Sequence, residues 1–260
     1  LVTFNEGAAQ TGNECAIDTS QLSQGVVGAS ARSDARLKFQ VVKGEMSYNY
    51  DLPGDGTPII VPINMGDGPY TFRVMQNTSG NNYVELFSVI DNVNLSSETA
   101  PYLVPNVFVN YNESSAVVAK ARELAQGAAN QGDVVRNIYQ WVVDNITYDH
   151  DKAAQLASAT GYVPDPDATL AAGTGICFDY ASLGAAMLRS LGIPCQVITG
   201  YVSPDDVYHA WNMVYIDGEW ISVEISIKPN SWTRVDLTFA ASGAASTIGD
   251  GTSYTDRYTY

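Results

Sequence analysis

The chain has 260 residues, 45% of them hydrophobic and 10% aromatic, enough for one large core or two small ones. Its 28 acidic residues outnumber 13 basic ones, and a net charge of −15 repels polyanions, so nucleic acid and anionic membrane are poor partners. No stretch approaches the roughly 20 apolar residues of a membrane span, and three cysteines cannot close a disulfide framework.

The sequence opens at Leu1, without an initiator Met, a basic segment or an apolar run. The expectation is a signal peptide already removed and an extracellular or cell-surface location. Residues 1–16 read as a polar N-terminal extension that holds Cys15. Residues 17–104 read as a β-sandwich module. Leu37, Phe39 and Val41 alternate with Lys38 and Gln40; Tyr70, Phe72 and Val74 alternate with Thr71 and Arg73. Breakers such as Pro53-Gly54-Asp55-Gly56 and Ser79-Gly80-Asn81-Asn82 separate the runs, as in an antiparallel sandwich. This half has no histidine, so it reads as a structural or binding module.

The pattern changes after Pro101 and Pro105. Ser114 or Ser115 can cap a helix with Val117, Val118, Ala121, Leu124 and Ala125 on its apolar face. Asp133 can cap a second, with Val134, Val135, Ile138, Val142 and Ile146 inward. Asp149-His150-Asp151 reads as a solvated polar loop, and Val163-Pro164-Asp165-Pro166-Asp167 as a connection. Tyr180, Gly184, Met187, Leu188 and Leu191 then recur at helical spacing until Gly192-Ile193-Pro194 ends the element. Strands follow to the end of the chain. Helices first and strands afterwards make residues 105–260 an α+β domain, with helices packed on an antiparallel sheet.

Cys177 stands where the glycine-flanked loop Gly173-Thr174-Gly175-Ile176 enters that last helix. The first N–H groups of a helix lack intrahelical partners and carry partial positive charge. They favour a thiolate and can donate to a developing oxyanion. A thiol nucleophile needs a base, and the base an orienting group. His209, in Val207-Tyr208-His209-Ala210-Trp211-Asn212, lies on a strand that fixes the ring direction. Two acids compete for the third place: Glu224 in Trp220-Ile221-Ser222-Val223-Glu224, and Asp236 in Trp232-Thr233-Arg234-Val235-Asp236. Two histidines, one thiol and scattered acids make no zinc pattern, and no segment follows the calcium-loop alternation. No cofactor is expected. Cys195 reads as a buried strand residue; a Cys15–Cys195 bridge would leave Cys177 free, although nothing in the sequence demands it.

Gly175-Ile176-Cys177-Phe178-Asp179-Tyr180-Ala181, then Leu191-Gly192-Ile193-Pro194 with Gly200-Tyr201, then His209-Ala210-Trp211-Asn212 resemble the transglutaminase-like superfamily. Trp141 and Asn145-Ile146-Thr147-Tyr148-Asp149 resemble the helix and Tyr-Asp pair that precede its cysteine. The likeness covers roughly residues 105 to 260 and implies a papain-like thiol fold with catalytic Cys177, His209 and Asp236. Asp236-Leu237-Thr238 keeps the Asp and Thr of the family's final motif, with Leu237 in place of the usual Pro; Glu224 is the rival. The implied chemistry is acyl hydrolysis or acyl transfer on a peptide or carboxamide, in extracellular protein or cell-wall peptide. Tyr148 is a candidate second oxyanion donor, Asp179 a first-turn charge and Trp211 a packing partner of the histidine. A leading β domain resembles the layout of secreted or surface proteins of Gram-positive bacteria. The alternative from another class is a catalytically silent binding or scaffolding protein of the cell surface.

Overall fold

The period-two runs of the first half fold as two four-stranded antiparallel sheets. The computed structural model describes residues 2–157, 159–202, 207–226, 234–239, 247–248 and 252–260, in two units, Leu1–Val107 and Phe108–Tyr260. In the first unit the strands are β1 (Gln10–Gly12), β2 (Cys15–Asp18), β3 (Val26–Ala31), β4 (Leu37–Lys43), β5 (Met46–Leu52), β6 (Ile59–Pro62), β7 (Gly68–Ser79) and β8 (Asn82–Val93). They order as β1-β2-β3-β6 and β5-β4-β7-β8. Phe39 sits opposite Tyr50 on one side and Val74 on the other. All three are buried, while Lys38 and Gln40 point outward, as a half-buried strand requires.

The segment expected as an extension supplies β1 and the start of β2. Its attachment is polar: the buried Asp18 carboxylate accepts the Asn5 N–H at 2.7 Å and the Ser20 N–H at 2.9 Å. A buried carboxylate supplied with donors in this way costs far less than one left bare.

The second unit is α+β. Its elements are α1 (Ala116–Ala125), α2 (Gln131–Asn145), β9 (Thr147–Tyr148), α3 (His150–Leu156), α4 (Pro166–Ala172), β10 (Thr174–Gly175) and α5 (Cys177–Ser190). Then come β11 (Cys195–Val202), β12 (Val207–Ile216), β13 (Glu219–Ser226), β14 (Arg234–Phe239), β15 (Thr247–Ile248) and β16 (Thr252–Thr259). These last six form one sheet in the order β14-β13-β12-β11-β16-β15.

Helix α5 is buried on all sides, from Phe178 to Arg189, and most of its residues are apolar, the pattern of a helix with no solvent face. Leu183, Ala185, Ala186, Met187 and Leu188 are fully buried in one cluster with Cys195, Val197 and Val214 of the sheet and Val135, Ile138 and Val142 of α2. Each of the leucine, methionine, valine and isoleucine side chains stabilises the fold by about 1.5–3 kcal/mol over its exposed state. Its buried Arg189 is spent on the chain itself. Nε donates to the Cys195 carbonyl at 2.9 Å and Nη2 to the Tyr260 carbonyl at 2.8 Å.

Three local expectations change. The second helix is capped by Asn130, whose Oδ1 accepts the Asp133 N–H at 2.9 Å, so Asp133 is a first-turn residue. The connections around His150 and Asp165 are helices. Asp149 caps α3 by accepting the Lys152 N–H, and Asp165 caps α4 ahead of Pro166 at the first helical position. His150 therefore opens a helix instead of lying in a loop.

Candidate active site

Cys177 is the first residue of α5 and is partly exposed. The approach to it is held by a two-strand clip, in which β10 pairs in parallel with β9 and sets Gly175 beside Tyr148. The Thr147 N–H donates to the Gly173 carbonyl at 2.8 Å and the Asp149 N–H to the Gly175 carbonyl at 2.9 Å. Gly173 turns at a φ of +68°, a left-handed conformation that suits glycine. At Gly175 a Cβ would come within 2.7 Å of Asp179 Cβ, so the loop can approach the helix this closely because it carries no side chain.

Asp179 is fully buried in the first turn. Its Oδ2 accepts the Ile176 N–H at 2.9 Å and the Lys152 ammonium at 2.8 Å, and its Oδ1 accepts the Tyr162 hydroxyl. The sequence placed Asp179 at the helix start as a charge for the dipole. Lys152 and Tyr162 carry no motif, and their part in the site appears only in the folded chain, where both reach the Asp179 carboxylate. Burial pulls the Lys152 pKa down, but the hydrogen bonds to Asp179 and Tyr162 and the Asp179 charge outweigh it and the net shift is upward.

Tyr148 lies close to the thiol. Burial, then the charges of Cys177 and Asp179, hold its phenol above its usual range, so it stays protonated and able to donate. His150 meets the Tyr148 ring edge-on at 4.8 Å.

On the sheet side, Tyr139, Tyr180, Ala181, Ala210, Trp211, Asn212 and Val223 join Cys177 around a cavity of about 10 Å³, roughly one water-sized sphere. Ala210 and Val214 pack into the core beneath α5, and Asn212 Nδ2 donates to the Ala181 carbonyl at 2.9 Å. Trp211 and Met213, in the alternate positions, pack with Ile198 and Trp220. His209 shares their parity, pairs across to Gly200 and stacks on Trp211 with ring centroids 5.8 Å apart. Trp211 is common to both environments, lining the thiol cavity and carrying the imidazole.

Glu224 follows Val223, which pairs with Asn212 on the adjacent strand. Asp236 is its register partner on the next strand out. The side chains of both acids lie outside the described residues. All three cysteines are free thiols. Burial pushes Cys195 up to about 12, and burial, then Glu14, raises Cys15.

The site thus sets a partly exposed thiol at a helix start, with a buried carboxylate in the same turn, against an antiparallel sheet that carries His209. Residues 118–225 match the family model of the transglutaminase-like superfamily. The match spans Cys177, His209 and Glu224 and ends before Asp236.

Cytokinesis protein 3 of Schizosaccharomyces pombe is 33% identical over 120 residues, which is 41% of this chain and 12% of that protein. A UPF0252 protein of Methanocaldococcus jannaschii is 25% identical over 199 residues, 72% of this chain and 54% of that one. Kyphoscoliosis peptidase of Mus musculus is 31% identical over 112 residues, 39% of this chain and 16% of that one. The chain thus covers about half or less of each of these relatives' own length. Among the described residues, no helix is long and apolar enough to cross a membrane.

Proposed function

We propose that the protein is a thiol-dependent acyl hydrolase or acyl transferase acting on peptide or carboxamide bonds of extracellular protein or cell-wall peptide. The observation that carries this reading is Cys177, partly exposed at the first turn of α5 and lining a cavity with the strand that holds His209. In the proposed reaction the Cys177 thiolate attacks the carbonyl carbon and the thiol proton passes to His209. The C–N bond then breaks as His209 returns the proton to the departing amine, leaving a thioester. Water releases an acid, or an amine releases a new amide, and the thiol is regenerated. The Cys177 N–H and the Tyr148 hydroxyl are the proposed oxyanion donors. Asp236 is assigned to orient the imidazole, with Glu224, its neighbour across β13 and β14, as the rival. A peptidase among the relatives supports the hydrolytic branch.

A second reading is a catalytically silent binding or scaffolding protein of the cell surface. It is favoured by the small volume of the cavity and by similarity to a cytokinesis protein. One assay separates the two. Peptide and glutamine-containing substrates are incubated with the protein, with and without a primary amine, and release of ammonia, new termini or amine incorporation is followed. Turnover that disappears in Cys177→Ser supports the enzyme. Turnover that persists in Cys177→Ser removes Cys177 as the nucleophile, and equal inertness of both proteins across the panel favours the scaffold.

A further inference from the structure

The charge nearest Cys177 along its helix is a buried carboxylate, and that is the wrong sign for a nucleophilic thiolate. Asp179 lies two residues on, in the same first turn, and has no contact with solvent. A like charge close by disfavours a second anion, and the low surrounding dielectric leaves such repulsion little screened. The proximity is visible through Tyr148, whose phenol is held up first by burial and then by the charges of both Cys177 and Asp179. Asp179 cannot simply be dispensed with, because its Oδ2 holds the Ile176 N–H that opens α5.

The compensating charge is supplied from another element. Lys152 reaches from α3 to Asp179 Oδ2 at 2.8 Å. It also contacts Tyr162, with its ammonium 2.6 Å from the hydroxyl oxygen and 4.7 Å from the ring centroid. Tyr162 in turn donates to Asp179 Oδ1, so both carboxylate oxygens are occupied. The β9–β10 clip and the Asp149 cap fix where α3 begins, which sets the reach of Lys152.

We infer that Lys152 is a positioning residue for the reaction: its ion pair with Asp179 neutralises the buried carboxylate so that the first turn of α5 can support an anionic Cys177. Among the described residues, the other titratable groups beside the thiol are Tyr148, Tyr139 and Tyr180; His150 touches Tyr148, and His209 stacks on Trp211 of the cavity wall. Burial first of all keeps the three phenols protonated. Below the range where lysine or tyrosine titrates, the charges that the described residues place beside this turn are therefore the Lys152–Asp179 pair and whatever the histidines carry; the side chains of Glu224 and Asp236 lie outside the described residues.

This inference rests on the proposed role of Cys177, and its test distinguishes the two. The pH dependence of iodoacetamide labelling at Cys177 is measured by mass spectrometry in the parent protein, Lys152→Met, Asp179→Asn and the double variant, with thermal melting alongside. Lys152→Met leaves an uncompensated anion and moves the labelling midpoint up by about one pH unit. Asp179→Asn leaves an uncompensated cation and moves it down, and the double variant returns near the parent value. If Lys152→Met does not fold, the downward shift in Asp179→Asn and the return in the double variant carry the same test. Midpoints that are indifferent to charge while the parent thiol is reactive overturn the inference alone. A parent thiol that does not label overturns the nucleophile and this role for Lys152 together.

Discussion

The Tyr139 hydroxyl donates to Asn212 Oδ1 at 2.6 Å, joining α2 to β12 beneath the helix that begins with Cys177. Asn212 spends its own donors on the Ala181 carbonyl of α5 at 2.9 Å and the Gln196 carbonyl of β11 at 3.1 Å. One amide thus ties three elements around the thiol cavity. Asn212→Ala strands buried polar groups on all of them and is expected to cost about 2–4 kcal/mol, whereas Tyr139→Phe, which leaves one acceptor unmatched, costs about 1–2 kcal/mol. Urea unfolding of the two variants checks the order; a loss for Tyr139→Phe as large as that for Asn212→Ala would contradict it.

Gly184 explains how these groups fit. A Cβ there would stand 2.9 Å from the Tyr139 hydroxyl and 3.0 Å from Asn212 Oδ1, both in the closed interior. Replacing glycine by alanine inside a helix ordinarily gains up to about 1 kcal/mol, while forcing a packed interior apart costs about 1–3 kcal/mol. The steric loss outweighs the helix gain, so Gly184→Ala is expected to lower the unfolding midpoint. A raised midpoint would show that the tyrosine and asparagine move aside freely.

Much of this architecture is legible in the chain because it rests on repetition. Leu37-Phe39-Val41 and Tyr70-Phe72-Val74 declare their strands, and the apolar spacing after Cys177 declares α5. What was not legible depends on partners far apart in sequence. Capping of α1 is one case: the Val117 N–H is satisfied by Asp167 Oδ1 at 3.0 Å, and Ser115 Oγ instead accepts the Asn112 N–H. The short helices α3 and α4 are another, each too brief for periodicity and announced by one Asp cap. Within the site, Cys177 and His209 stand out as residue types with few alternatives. Lys152, Tyr162 and Tyr139 do not, because a lysine 27 positions from Asp179 has no local signature.

The tyrosines set the alkaline limit of stability. Burial raises Tyr111 to about 12 against an ordinary value of 10.0, and burial likewise raises Tyr70 to about 12. Between these values the unfolded chain releases the phenolic proton and the folded chain keeps it, so stability falls as pH rises from about 10 towards 12. For Tyr111 alone the loss across that window is of order 2–3 kcal/mol. Unfolding free energies measured from pH 9 to 12 should decline with a slope that Tyr111→Phe reduces. A flat profile would contradict the burial assigned to these rings.

Thiol accessibility divides the three cysteines. Cys15 and Cys195 are buried and free, with burial pushing both thiols up, whereas Cys177 reaches the surface. With Ellman's reagent near neutral pH, the folded protein should therefore release one equivalent promptly, and the denatured protein three. Prompt reaction of Cys195 would contradict its place under α5.

The third member of the proposed triad is decided by comparing its two candidates. Asp236→Asn is expected to reduce turnover by two or more orders of magnitude, in line with loss of an imidazole-orienting carboxylate, while Glu224→Gln leaves most of it. Kinetics on the same substrate check this. The reverse ranking would move the assignment to Glu224.

The most direct test of the central claim is the rate of iodoacetamide alkylation at Cys177 across pH 5 to 9, in the parent protein and in His209→Ala, with free cysteine run alongside. A Cys–His pair predicts labelling of the parent at mildly acidic pH, where free cysteine is nearly inert, and loss of that advantage in His209→Ala. Slow labelling of the parent, or fast labelling that His209→Ala leaves unchanged, would contradict the Cys177–His209 pair on which the proposed chemistry depends.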